Sequence, residues 1–256
     1  MARRRSPDRL PQIIDAAIEV FIRKGYRRTQ MSDVARAAGV SQGSLYNYVE
    51  SKDALFYLII DRGLTDGPLP AALELPIRTP SLADTLARLR VRINSELAVP
   101  ELERALTRTS VADPRDELET IVRRYYAGVE RVGRGLDLIE RSAVDLPELA
   151  QLFYIERRRS LIAQLGKYLE GRIRMGAVRP LPDVPTTARL ILETVVWFAR
   201  HRHNSPDSAM ISDAAALETT VDFLVSGLLA YPSPATSSRP KRSPPGSQLH
   251  AGPKLQ

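Results

Sequence analysis

Apolar residues recur at helical spacing along almost the whole chain, and no run alternates as a strand would. In the first segment Leu10, Ile13, Ile14, Ala17 and Phe21 form one stripe along a helix. Asp8 can cap that helix, Pro11 is tolerated in its first turn, and Gly25 ends it. Short helices follow over 29–38 and 42–49, and a fourth runs from a Ser51 cap to about residue 65. Longer helices are expected over 81–98, 101–110, 115–142, 147–175, 185–203 and 212–230. Pro100, Pro114, Pro147, Pro180, Pro182 and Pro185 stand at their joints, where a missing N–H does least harm. The expected fold class is all-α.

The chain of 256 residues has no cysteine, which excludes disulfides, Cys-ligated zinc, iron–sulfur clusters and thiol chemistry. Its net charge of +7 is uneven. Residues 1–52 carry +5, residues 53–230 carry −2, and residues 231–256 carry +4. A basic end points to an anionic partner, nucleic acid before membrane. Met1-Ala-Arg-Arg-Arg is followed by Ser6-Pro-Asp-Arg rather than an apolar run, so no signal peptide is expected. The most apolar stretch, Leu190 to Ala199, contains Glu193 and is too short to span a membrane.

The segment Thr29 to Leu55 carries the chemistry. Val34, Ala35 and Ala38 give the first short helix a small apolar face, against which a second helix can pack closely. Gly39 suits the left-handed turn between them, Val40 plugs the small core, and Ser41 caps the next helix. Leu45 and Val49 face inward. That leaves Gln42, Gly43, Ser44, Tyr46, Asn47 and Tyr48 outward, none of them acidic. Gln and Asn can read adenine bidentately, a glycine admits close backbone approach, and Ser, Tyr and backbone N–H groups can donate to phosphates. Together these are a helix-turn-helix whose second helix can enter the major groove.

The string Val34-Ala-Arg-Ala-Ala-Gly-Val-Ser-Gln-Gly-Ser-Leu-Tyr-Asn-Tyr-Val-Glu-Ser-Lys-Asp-Ala-Leu55 closely resembles the DNA-binding domain of tetracycline-repressor-type (TetR) regulators. Upstream, Ala16-Ala17, Phe21, Gly25-Tyr26 and Thr29 resemble that family's first helix and cap. The resemblance covers about residues 8–60, with Val49 standing where the family more often has Phe. It implies a homodimer, a divergent C-terminal ligand-binding domain, and repression relieved by a small molecule. Carried over, Thr29, Tyr48 and Lys52 match phosphate-contacting positions. Ser41 lies at the cap, and Gln42, Gly43, Ser44, Tyr46 and Asn47 match positions facing the groove.

The expected organisation has five parts. A basic arm covers 1–7, and its Arg3-Arg4-Arg5 could reach a minor groove. The DNA-binding domain covers 8–66, with the helix-turn-helix over about 29–49. A Pro-rich linker over 67–80 leads to a helical ligand-binding and dimerisation domain over 81–230. A basic tail rich in Pro and Ser, 231–256, is expected to be disordered. In the C-terminal domain Arg124, Tyr125, Phe153, Tyr154 and Trp197 are candidate pocket residues. Ile191, Val195, Phe198, Leu217, Val221, Leu224 and Leu228 are candidates for a four-helix dimer interface. His201-Arg-His203 has the wrong helical spacing for a metal site, and no metal or catalytic group is expected.

The expected function is a cytoplasmic, nucleoid-associated regulator that binds a palindromic operator as a homodimer. An unidentified small-molecule effector releases it, and no cofactor or membrane partner is expected. Two other readings stay open. One is a nucleoid-type protein binding DNA without sequence choice; the other is an all-α small-molecule-binding protein or enzyme with a vestigial helix-turn-helix.

Overall fold

The structure, a computed structural model, describes residues 9–64 and 74–230. The arm, the tail and the first half of the linker lie outside the described residues, as does the Asp8 cap. Among the described residues the chain is helical with no strand, as the periodicity predicts.

Four helices form the N-terminal unit: α1 (Leu10–Lys24), α2 (Met31–Ala37), α3 (Gln42–Leu45) and α4 (Lys52–Gly63). Helix α1 packs against α2 and α4 around Ile13, Ala17, Phe21, Val34, Leu45 and Phe56. The rings of Phe21 and Phe56 lie 5.3 Å apart, and those of Tyr26 and Phe56 4.7 Å.

The larger helical body follows. It comprises α5 (Leu82–Glu96), α6 (Pro100–Thr107), α7 (Pro114–Arg131), α8 (Gly133–Ala143) and α9 (Pro147–Ala150). A π-helical stretch, Gln151–Arg158, runs straight on into α10 (Arg159–Arg174). Helices α11 (Val184–Ala199) and α12 (Asp213–Leu228) complete it. Side-chain caps at Ser81, Asp113, Asp183 and Ser212 start α5, α7, α11 and α12.

Two expected helices are divided. The expected 115–142 helix breaks at Val132, giving α7 and α8. A Cβ on Gly133 would stand 2.6 Å from Arg200 Cδ, so a larger residue there would displace that side chain. The expected helix through 203 ends at Ala199, and His201–Asn204 form a 3-10 turn. The expected 147–175 helix is continuous but contains the π stretch. The end of the linker also does more than connect: Ile77 N–H donates to Tyr48 O at 2.8 Å, and Glu50 N–H donates to Ile77 O at 2.9 Å. Thr79 N–H donates to the Glu50 carboxylate at 3.0 Å, and the Ser51 and Thr79 hydroxyls meet at 2.6 Å. Residues 77–79 thus strap the exit of α3 to the start of α5.

Helix α8 lies between the two parts. It packs on α1 and α4. Arg134 meets Glu19 at 2.9 Å and Asp15 at 3.5 Å, and Asp145, just past α8, accepts from Arg27 N–H at 2.8 Å. Gly25, in the left-handed region with φ of 79°, lets the end of α1 pass close to Asp145.

Candidate nucleic-acid interface and effector cavity

The turn between α2 and α3 forms as its residues dictate. Gly39 takes φ of 64°, and Val40 N–H donates to Ala35 O at 2.9 Å. The Ser41 hydroxyl accepts from Ser44 N–H at 3.1 Å, the expected cap. Helix α3 is shorter than expected. Asn47 and Tyr48 bond back three residues rather than four, and Ile77 takes the Tyr48 carbonyl that a longer helix would have used.

Leu45 and Val49 are buried, while Gln42, Gly43 and Asn47 are exposed and Tyr46 is 42% exposed. Nothing lies within 4 Å of where a Gly43 Cβ would stand, so internal packing does not require a glycine there. Nearby carboxylates are engaged elsewhere. Asp33 pairs with Lys24 at 2.7 Å, and Asp53 accepts from the Tyr26 hydroxyl. The Lys24 amine, then the Gln30 N–H, hold the Asp33 carboxyl below its usual range. Burial, then Asp53, pushes the Tyr26 phenol up.

Three expected phosphate-contacting residues are turned inward. Thr29 is 2% exposed and donates to Gly25 O at 2.8 Å, while Gln30, not Thr29, stands at the N-cap of α2. Tyr48 is buried. The Lys52 amine donates to Tyr26 O at 3.0 Å and Thr29 O at 3.3 Å, and lies 4.4 Å from the Tyr26 ring centre. One of its three N–H donors is left over. Thr29 and Lys52 share a reason: they supply donors to the carbonyls of the turn between α1 and α2. Sequence reasoning missed three exposed cations of the N-terminal unit: Arg28 before α2, Arg36 on α2, and Arg9 at the α2–α3 turn. Arg9 donates to Gly39 O at 3.0 Å. Their signal in the sequence was only charge, without a fixed motif position.

In the helical body the structure brings Tyr125 and Phe153 together and leaves three candidates aside. Tyr125 and Phe153 line a void of about 20 Å³ with Leu97, Val129, Leu136 and Arg157. Tyr125 and Leu161 also border a second, wholly apolar void of about 10 Å³. Arg124 instead faces Glu101 at 3.9 Å, and Tyr154 stacks on Phe153 at 5.1 Å outside the void. Trp197 is 38% exposed on the outer side of α11. Burial pushes the Tyr125 phenol up. Glu140, on α8, also borders the first void, and it bonds His201 at 3.0 Å. This carboxylate raises the pKa of His201 against the opposing effect of burial.

Five of the seven expected interface residues lie inside the chain. Ile191, Val195, Val221, Leu224 and Leu228 are buried within the chain, and Phe198 and Leu217 are partly buried. A helix apolar on every side does not reveal which side turns inward. The apolar residues that α11 and α12 leave outside are Leu190 at 58%, Trp197, and Phe223 at 70% exposed. Ala215, Thr219 and Gly227 extend the Phe223 stripe with small side chains.

Comparison with known proteins places this geometry. The family described as bacterial regulatory proteins, tetR family, matches residues 13–58. The uncharacterized HTH-type transcriptional regulator YfiR of Bacillus subtilis is 32% identical over 155 residues, 57% of this chain and 74% of that protein. The chain is a TetR-family transcriptional regulator. A further relative of this TetR-family chain is the HTH-type transcriptional repressor KstR2 of Rhodococcus jostii, 23% identical over 221 residues. That match spans 85% of this chain and 92% of KstR2. The crystal structure of AibR in complex with isovaleryl coenzyme A and operator DNA shares the fold, with a TM-score of 0.52 and 18% identity. It covers 85% of this chain and 98% of AibR. Such relatives are regulators rather than enzymes. No described helix is long and apolar enough to cross a membrane.

Proposed function

We propose that this TetR-family regulator represses transcription by binding a palindromic operator as a homodimer, and that a small-molecule effector releases it. The observation that carries the reading is the outer edge of α3. Gln42, Gly43, Tyr46 and Asn47 are exposed and uncharged, while the acids around them are engaged elsewhere. Such an edge offers bidentate donors and acceptors to base edges without repelling phosphates. Gly43, free of any internal packing demand, supports close backbone approach there.

The homodimer uses the outer faces of α11 and α12, with Leu190, Trp197 and Phe223 as anchors and Ala215 and Gly227 letting helices approach. Pairing these two helices with their copies gives a four-helix contact about a two-fold axis. Two α3 helices then address two half-sites, which is why the operator is palindromic.

Release runs through α8. Leu136 and Glu140 border the void, while Arg134 and Asp145 grip the N-terminal unit. An effector that enlarges the void displaces α8 and changes the separation of the two reading heads. It does so only to the extent that it binds the two arrangements with different affinity. The relatives lend support: AibR is seen with both a coenzyme A thioester and operator DNA, and KstR2 is a repressor.

DNase footprinting on the DNA beside the protein's own gene tests this reading. A protected inverted repeat is expected. Uniform protection across unrelated DNA would show binding without sequence choice and refute it.

A further inference from the structure

The arginines drawn into the helical body are paired, with one exception. Arg172 donates to Glu117 from Nε at 2.7 Å and from a terminal nitrogen at 3.1 Å, and to Ala105 O at 2.8 Å. Arg158 meets Glu193 at 2.6 Å, Arg200 meets Asp137, and Arg202 meets Asp213. Arg157 has no such acid among the described residues. A terminal nitrogen donates to Leu97 O at the end of α5, and its buried Nε has no partner. Glu103, exposed on α6, acts on it only through space. Burial lowers the pKa of the Arg157 guanidinium below the usual arginine range. Arg157 as a whole is partly buried, but its Nε is enclosed and unpartnered, and a guanidinium drawn this far from water without a carboxylate gains from a counter-charge.

Its position says where that charge comes from. Arg157 is a wall between two spaces. Inward lies the void with Tyr125, Phe153 and Leu161, which adjoins the second apolar void. Outward lies an open groove of about 130 Å³ with Arg90, Asn94 and Ser160. In that groove Arg90 is neutralised by Glu156 at 2.9 Å. On the inner wall Glu140 faces both His201 and Arg158. The uncompensated charge at the partition is therefore positive. Arg157 and Phe153 both sit on the π-helical stretch, a departure from α geometry that recurs at functional sites.

We propose that the effector is an amphipathic anion whose charged head pairs with Arg157 and whose apolar body occupies the space now divided by Tyr125 and Leu161. This rests on the reading of the chain as an effector-released regulator and names the chemistry of the effector. The planar guanidinium suits the two oxygens of a carboxylate or a phosphate. The two voids, each about the size of a water molecule, hold no hydrocarbon as they stand. Binding therefore selects an arrangement in which Tyr125 and Leu161 have moved apart, with Leu136 of α8 next to them.

Titration calorimetry on the purified full chain tests the proposal with decanoate, decyl phosphate, decanol and decylammonium. Decanoate, decyl phosphate or both should bind, and decanol and decylammonium should bind about 30-fold more weakly or worse. The two anions tell a carboxylate site from a phosphate site. Arg157→Gln should remove the preference for an anionic head and leave decanol binding unchanged; Arg157→Lys should retain part of it. Circular-dichroism melts establish that both variants fold, and the headgroup series on the unaltered protein decides the matter if they do not. The proposal is overturned if decanol binds as tightly as the anions, if none of the four binds, or if Arg157→Gln keeps the preference. Failure of the regulator reading shows separately, as failure of the ligand-free protein to retard the footprinted DNA.

Discussion

Arg172 and Arg157 lie on one continuous helical rod and have opposite surroundings. Arg172 is held by Glu117, Ala105 O and the Tyr168 ring, with its Nε and one terminal nitrogen bonded to oxygen acceptors. Arg157 is left with an orphan Nε and one carbonyl. The first is a finished structural contact, the second an unfinished one. A related contrast separates the surroundings of α3 from the body. Around α3 the buried polar groups are satisfied and the free groups face outward, ready for DNA. In the body the unpartnered Arg157 Nε belongs to a side chain that lines an enclosed void of about 20 Å³.

The largest expected effect breaks the finished side of that comparison. Glu117→Ala leaves Arg172 buried without its carboxylate and should cost about 3–5 kcal/mol in a denaturant melt. Replacing both partners with apolar residues of similar volume should recover most of that loss. A loss well under 1 kcal/mol for Glu117→Ala would show that the pair is not closed as described. Next in size, Phe223→Arg should weaken self-association by about 2 kcal/mol or more, read as a rise in the dimer dissociation constant by sedimentation equilibrium. An unchanged constant would remove α12 from the interface.

Gly43→Ala sharpens the contrast between packing and function. With open space around the Cβ and a helical backbone, the fold should gain up to about 1 kcal/mol in a thermal or urea melt. Operator affinity should nevertheless fall. Equal or better operator binding would mean that the backbone does not approach DNA there. The smallest effect concerns His201. Its pKa is raised above 6.5 in the folded chain, chiefly by its bond to Glu140. The charged form therefore stabilises the fold, fully below about pH 6.5, and that share is lost as pH rises through the folded value. His201→Gln should flatten the stability curve across that window, and a curve unchanged by the substitution would contradict the assignment.

Much of the fold was legible because helices announce themselves locally. The stripe from Leu10 to Phe21, the Ser41 and Ser51 caps and Gly39 all behave as their neighbours in the chain dictate. The outward edge of α3 was legible for the same reason. Long-range partners were not. Thr29 and Lys52 read as surface residues until the carbonyls of the α1–α2 junction claim them. The phase of α11 is invisible when all its faces are apolar, so Val195 was expected outside and lies inside. Residues 77–79 read as linker because their bonds to Tyr48, Glu50 and Ser51 cross more than a score of residues. Arg157 could not be separated from Arg158 and Arg159 by sequence, because what marks it is the absence of an acid contributed by another helix.

The central claim is that sequence choice comes from the neutral edge of α3. The direct measurement is the affinity of Gln42→Ala and Asn47→Ala for the footprinted site and for an unrelated duplex, at one fixed salt concentration. The account predicts that each substitution costs about 1–3 kcal/mol on the site and nothing measurable on unrelated DNA. Unchanged affinity for the site, or an equal loss on both DNAs, would contradict it.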